Sequence, residues 1–395
     1  MTRALLIVAD SLGIGGAPDA ACFGDAGADT FGHVLQACAP QLPHLRALGL
    51  HAAHALAQGR LPRTHERPGP GACWAAMQPA STGKDTTSGH WELCGAPVDF
   101  EWGRFTAHED SIPATLLDPL CARAGLPGVL GNCRASGTEI IQRLGEVHIA
   151  SSKPIVYTSA DSVLQIAAHE VHFGLARLEA TCRIARELAD DLRIARVIAR
   201  PFVGTRAGDF RRTGHRHDHS VPPHRPTLLD ALVASGREVL AIGKVADIFA
   251  GRGISRSIPA SGLDALLDAT ETCFAGARDG SLVFVNLVDF DSEYGHRRDV
   301  AGYAAALARF DARLPALCRL AGDGDLLLLT ADHGNDPTWP GSDHTRECVP
   351  LLAVGGGLRP GNAGLRPAFA DAGQTLARHF GLPALAHGTA LPLAC

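Results

Sequence analysis

Five short apolar runs, each broken off by an acidic, glycine or lysine residue, most constrain what this chain can fold into. They are Arg3–Ala9, Glu238–Gly243, Ser281–Val288, Asp325–Thr330 and Val349–Val354. Runs this brief, branched and without polar alternation fit strands buried on both faces. Helical spacing separates them. Thr227 is placed to cap a helix that stops at Gly236, and Gly302 to Leu320 and Asp371 to His379 repeat the spacing. Strands alternating with helices predict an α/β protein whose mainly parallel sheet is covered by helices on both faces.

The middle of the chain reads differently. From about Trp102 to Val221 the texture is looser, ending in the His- and Arg-rich stretch Arg211-Arg-Thr-Gly-His-Arg-His-Asp-His. It has its own strand candidates, Pro154–Thr158 and Ala195–Ile198, and a helix candidate, Leu175–Leu192. The expected plan is one core domain made from residues 1–100 and 221–395, interrupted by a smaller α/β domain over 101–220. Pro-bearing edges at Gly95-Ala-Pro and Val221-Pro-Pro would link the two. With 19% charged residues and a net charge of −5, no global positive field draws nucleic acid or anionic lipid. No run approaches the ~20 apolar residues of a membrane helix. A soluble, cytoplasmic protein without nucleic-acid or membrane partners is expected. The 11 cysteines are scattered singly with no Cys-x-x-Cys, which fits reduced thiols rather than disulfides or a thiolate metal site.

Strand ends carry the chemistry. In a parallel sheet the carboxyl ends face the ligand crevice, and Asp10 closes the first run. The Gly-Ile-Gly-Gly that follows lacks the dinucleotide spacing. The run Leu282-Val-Phe-Val-Asn-Leu-Val leads into Asp289-Phe-Asp-Ser-Glu-Tyr-Gly-His, which offers Asp291 and His296. Asp325-Leu-Leu-Leu-Leu-Thr delivers Asp332 and His333 ahead of a glycine, and Gly341-Ser-Asp-His supplies His344. Any one of these, alone, would pass for a helix cap, a solvated loop or a satisfied core histidine. Six oxygen and nitrogen donors without sulfur suit Mn²⁺, Zn²⁺ or Mg²⁺, and they are too many for one ion with an open position. A second segment, Ser81-Thr-Gly-Lys-Asp-Thr-Thr-Ser-Gly-His-Trp-Glu, places small hydroxyl residues before a helix start. There backbone N–H groups and Lys84 favour a phosphate, although a hydroxyl-rich capping loop would look the same. Two divalent ions carry +4; three aspartates and one threonine alkoxide carry −4, so a phosphate would meet a near-neutral, polarising site.

Three stretches then point to a family. Lys84-Asp-Thr-x-x-Gly-His-Trp-Glu, Asp289-Phe-Asp-x-x-Tyr-Gly-His-Arg-Arg-Asp and Ala331-Asp-His-Gly-Asn-Asp-Pro resemble the phosphopentomutase family of the alkaline phosphatase superfamily. Tyr157-Thr-Ser-Ala-Asp-Ser-Val-Leu-Gln, Ala199-Arg-Pro-Phe-Val-Gly and Ile242-Gly-Lys-Val-x-Asp-Ile-Phe resemble it too. The resemblance implies that Thr86 is the phosphorylated residue. It implies that Asp291, His296 and His344 hold one metal, most simply Mn²⁺, and Asp10, Asp332 and His333 the other. It makes the inserted segment a cap domain and sugar phosphates the substrates, with a sugar bisphosphate such as glucose 1,6-bisphosphate as activator. The expected reaction interconverts (deoxy)ribose 1-phosphate and 5-phosphate through a 1,5-bisphosphate. Asp161, Arg200, Arg212 and Lys244 are the candidate substrate contacts. Two departures from the family pattern stand out: Thr87-Ser88 where Met-Thr is usual, and one extra residue in the stretch from Gly204 to Thr213, which blurs the choice among Arg206, Arg211 and Arg212. The rivals are a phosphatase or sulfatase of the superfamily, a phosphoglycerate mutase (whose loop carries Asn-Ser in place of Asp85-Thr86), and a non-catalytic metal binder.

Overall fold

The computed structural model describes residues 2–159 and 162–394, so the expected contact Asp161 lies outside the described residues. The chain divides into two compact units, Met1–Asp99 with Pro223–Cys395, and Phe100–Pro222.

In chain order the first unit begins with β1 (Ala4–Val8) and β2 (Cys73–Met77). The inserted unit supplies β3 (Leu130–Arg134), β4 (Ile155–Thr158), β5 (Val163–His169), β6 (Arg196–Val203), β7 (Arg211–Arg212) and β8 (His217–Ser220). The first unit resumes with β9 (Val239–Ile242), β10 (Arg256–Ile258), β11 (Leu282–Asn286), β12 (Leu326–Thr330), β13 (Val349–Gly355) and β14 (Gly361–Arg366).

The first unit is built on an eight-stranded sheet in the order β10-β9-β11-β1-β12-β13-β2-β14. β10 through β12 run parallel, while β13 is antiparallel to both neighbours. Every residue of β1, β2, β11 and β12 is buried, so both sheet faces are covered. The helices Thr30–Cys38, Pro43–Leu48, Leu50–Ala57, Leu263–Gly276 and Val300–Leu320 pack as one group. Thr86–Leu93, Leu228–Ala234, Val245–Ile248 and Ala370–His379 form another. The expected Thr227 cap is present as a capping box with Asp230, and that helix stops just before Gly236.

The inserted unit holds a sheet in the order β3-β4-β5-β6-β7, with β8 paired to β6. Helices Ala114–Ala124 and Leu175–Ala189 bury Leu117, Leu120, Leu178 and Cys182 in one core; Gly137–Ser151 buries Ile140 and Ile141 in a second with Tyr157, Phe202 and Phe210. No helix among the described residues is long and apolar enough to cross a membrane.

Candidate metal centre and nucleophile

Three neighbouring strands aim one set of donors at one place. β1 lies between β11 and β12, all parallel, with Val8 level with Asn286 on one side and Thr330 on the other. Their carboxyl ends therefore reach the same sheet edge together. Asp10 follows β1, Asp291 lies in the π-turn after β11, and Asp332 and His333 follow β12. His344 arrives on the loop that bridges Thr345 back to Gly334.

The donor atoms converge. His333 Nε2 is 3.4 Å from Asp10 Oδ1 and 3.5 Å from Asp332 Oδ2. His344 Nε2 is 3.4 Å from Asp291 Oδ1, and His296 Nε2 is 3.2 Å from Asp291 Oδ2. The two histidines His296 and His344 bring their Nε2 atoms to 3.1 Å. Asp10, Asp332 and His333 form one group able to hold an ion, and Asp291, His333 and His344 another, so His333 stands at the junction.

Side chains around these donors fix which atoms face inward. His296 Nδ1 donates to the Ser342 carbonyl at 2.7 Å and His333 Nδ1 to that of Gly334 at 3.0 Å, which leaves each Nε2 lone pair for a cation. Asn286 Nδ2 donates to Asp10 Oδ2, Asn335 Nδ2 to Asp291 Oδ1, and the Ser11 N–H to Asp332 Oδ1. Ser11 has φ +67°, and that left-handed turn at the end of β1 is what lets its N–H face Asp332. Asp10 Oδ1 and Asp332 Oδ2 are buried without a hydrogen bond. His90 Nδ1 stands 3.0 Å from that Asp332 oxygen, but its proton is directed to the Thr86 carbonyl at 2.9 Å.

The electrostatics match the chemistry of a cation site. Burial, then the charges of Asp332 and Asp291, push Asp10 well above the usual carboxylate range. Burial also opposes ionisation of Asp291, yet His344 and His296 draw it well below that range. Burial lowers His333, but Asp332, Asp10 and Asp291 outweigh it and lift the imidazolium to about 9. Three buried carboxylates, two of them with orphaned oxygens, and inward-facing imidazole nitrogens fit divalent cations, whose binding would displace the neutralising proton on His333.

Thr86 opens the helix Thr86–Leu93, capped by Asp85, which accepts from the Ser88 N–H. Its Oγ1 lies 3.1 Å from His333 Nε2. Thr87 and Ser88 are buried, and Ser88 Oγ donates to Asp85 Oδ2 at 2.7 Å. Gly89 allows this placement, because a Cβ there would stand 2.1 Å from the Asp332 carbonyl oxygen. Lys84 pairs with Asp25 at 2.9 Å and Asp343 at 3.4 Å, so its charge is already balanced by carboxylates.

Lys244 is exposed at the start of Val245–Ile248. In the inserted unit Arg200 is half-buried with its Nε donating to Gln165 at 3.0 Å, and burial pulls its pKa down to about 10. Arg212 is exposed, 3.5 Å from the Tyr157 hydroxyl; Arg206 and Arg211 are exposed as well. Sequence reasoning missed Asn286, Asn335, His90 and Glu347. Buried Glu347, raised to about 7 by burial, accepts from Gly15 N–H, Thr30 N–H and the hydroxyls of Thr30 and Thr345, tying the Gly15 loop and the start of the helix Thr30–Cys38 to its own segment. Asn286 had a signal, a lone amide inside an apolar run; Glu347 had none.

A cluster of carboxylates and imidazoles at parallel strand ends marks a metal-dependent α/β enzyme, and the sequence model of a family described as Metalloenzyme superfamily matches residues 2–384. A protein named phosphopentomutase from Chelativorans sp. (strain BNC1) is 57% identical over 402 residues, 98% of each chain. Another of that name from Rhizobium johnstonii is 54% identical over 402 residues, 98% of this chain and 99% of that one. The chain belongs to the phosphopentomutase family, a family of isomerases. A solved phosphoglycerate mutase of Leishmania mexicana is 13% identical with a TM-score of 0.44, over 99% of this chain and 97% of that one, too distant a likeness to carry an argument.

Proposed function

We propose that the protein interconverts the 1-phosphates and 5-phosphates of ribose and 2-deoxyribose in the cytoplasm, through phosphorylated Thr86. The observation that carries this reading is the Thr86 hydroxyl, 3.1 Å from His333 Nε2, in a chain matched over nearly its full length by proteins named phosphopentomutase. Two divalent cations, for which we propose Mn²⁺, would acidify the threonine hydroxyl and neutralise charge on the phosphoryl group in flight. Asp10, Asp332 and His333 would hold one, and Asp291, His296 and His344 the other.

In the proposed cycle the sugar hydroxyl attacks phospho-Thr86 in line, the Oγ–P bond breaks, and a 1,5-bisphosphate results. After turning end for end, the bisphosphate returns its other phosphoryl group to Thr86. The helix start holds the Thr86 hydroxyl beside His333, while Asp85 keeps that of Ser88 occupied. Lys84 would steady the loop through Asp25 and Asp343. Asp161, Arg200, Arg212 and Lys244 are proposed to contact the sugar phosphate, and a sugar bisphosphate such as glucose 1,6-bisphosphate to prime Thr86. A coupled assay with Mn²⁺, run on ribose 5-phosphate and 3-phosphoglycerate, tests the reading: turnover of the first alone is expected. Thr86→Ala should lose activity by many orders of magnitude while retaining metal. Peptide mass spectrometry should find the phosphate on Thr86; finding it on Thr87 or Ser88 overturns the assignment.

A further inference from the structure

Two histidines near the end of the inserted unit, His217 and His219, have no part in the chemistry above. β8 carries His217 and His219 two residues apart, so both project from one strand face. Asp218 between them turns the other way, to Arg216 and Arg196. The histidine face meets the helix Leu175–Ala189, from which Glu179 reaches both rings. Its Oε2 lies 2.8 Å from His217 Nδ1 and 3.1 Å from His219 Nε2, and the ring centroids are 4.2 Å apart. One donor atom from each of the three residues lies within 4.8 Å of the others. Ligands about 2.0–2.2 Å from a tetrahedral ion stand roughly 3.3–3.6 Å apart, so small shifts convert this cluster into a coordination shell.

We propose that Glu179, His217 and His219 form a further divalent-cation site, lying wholly within the inserted unit and suited to Zn²⁺ or Co²⁺. Two imidazoles and one carboxylate favour these ions over Mg²⁺ and Ca²⁺, and water completes the shell. The side chain of His217 is 52% exposed, which gives an ion direct entry from solvent. Arg183, one helical turn beyond Glu179, adds nearby positive charge and moderates the affinity. An ion here fastens β8 to the helix Leu175–Ala189. β8 is the last strand before the chain leaves this unit at Pro222, so the ion stiffens the exit segment.

The test is metal content. Mn²⁺-loaded wild type, His217→Ala and Glu179→Gln are equilibrated against graded Zn²⁺ and counted by inductively coupled plasma mass spectrometry. All three share the Asp10–His344 donor set, so uptake there cancels in the difference. Wild type should hold one more zinc per chain than either variant, and its half-loading concentration should be lower by at least about tenfold, as for loss of a metal-supporting group. Co²⁺ should give four-coordinate visible bands in the wild-type minus variant difference spectrum. Equal zinc content in all three proteins means that the cluster is an ion pair only, and overturns the proposal. Glu179→Gln keeps the shape of the side chain and reads the same difference should His217→Ala fail to fold.

Discussion

Gly89→Ala isolates the contribution of backbone contact to holding the nucleophile. A Cβ at this position would stand 2.1 Å from the Asp332 carbonyl oxygen and 2.7 Å from its carbon. Both are backbone atoms, so no side-chain rotation relieves the overlap. With ordinary contacts starting near 3.4 Å, the helix start and the Asp332 strand end must separate by about 1.3 Å. Thr86 sits one turn earlier on the same helix and carries part of that shift away from His333. Overpacking of this kind costs about 1–3 kcal/mol in stability. A 1 Å misplacement at a reacting group costs about 10²-fold in rate. The assay is coupled turnover of saturating ribose 5-phosphate with Mn²⁺, alongside metal content and thermal denaturation. kcat should fall about 10²-fold with metal retained and a Tm a few degrees lower. Gly276→Ala is the control: its Cβ meets nothing within 4 Å, and turnover should be unchanged. Wild-type kcat in folded Gly89→Ala, or a loss confined to KM, refutes the argument.

Three further outcomes are expected. Chelation should abolish turnover, with Mn²⁺ restoring it better than Ca²⁺, because the donor set mixes imidazole with carboxylate; full activity in excess chelator after slow exchange is excluded contradicts a metal requirement. Arg200→Ala should raise KM for the sugar phosphate and leave metal content unchanged, which parallel kinetics and metal analysis read out. The hydrogen bond from Arg60 outweighs burial and holds Glu66 down at about 2, so this pair adds stability above the ordinary carboxylate pKa and loses it as pH falls toward 2. Arg60→Ala should therefore cost about 1 kcal/mol near neutrality, discounted for solvent screening, and the gap in urea unfolding should hold from pH 8 to 5 and narrow below; a gap that widens on acidification counts against the pair.

Apolar runs bounded by charged residues made β1, β9, β11 and β12 legible within a residue or two, because strands buried on both faces leave little choice of side chain. β2 escaped notice, since Cys-Trp-Ala-Ala-Met is Ala-rich and follows a Pro/Gly patch; its burial comes from pairing with β13 and β14. β6 runs on to Val203, beyond the expected Ile198, through Pro201, a residue that reads as a strand breaker but here lies level with Ala168 of β5. The reversed direction of β13 is a tertiary property that no run of Val and Leu encodes. At the centre, Asp10, Asp291, Asp332 and His333 stood out as candidate donors because each follows an apolar run, and His344 because it comes shortly after them. The amides, Ser11 and Glu347 reach partners about 40 to 330 positions away in the chain, Glu347 also its near neighbour Thr345, and local pattern does not report those long links.

β1 is made first and waits long for its partners. Both of its neighbours, β11 and β12, lie more than 270 residues downstream, so during synthesis its five apolar residues emerge with both edges bare, one until position 286 has left the ribosome and the other until position 330. The inserted unit has no such wait: all six of its strands fall between Leu130 and Ser220, and its cores can close while β1 is still unpartnered. The interruption thus sets a timetable in which a finished module hangs from an unfinished one. The first hundred residues, Thr86 among them, are the stretch that a chaperone has most reason to shelter.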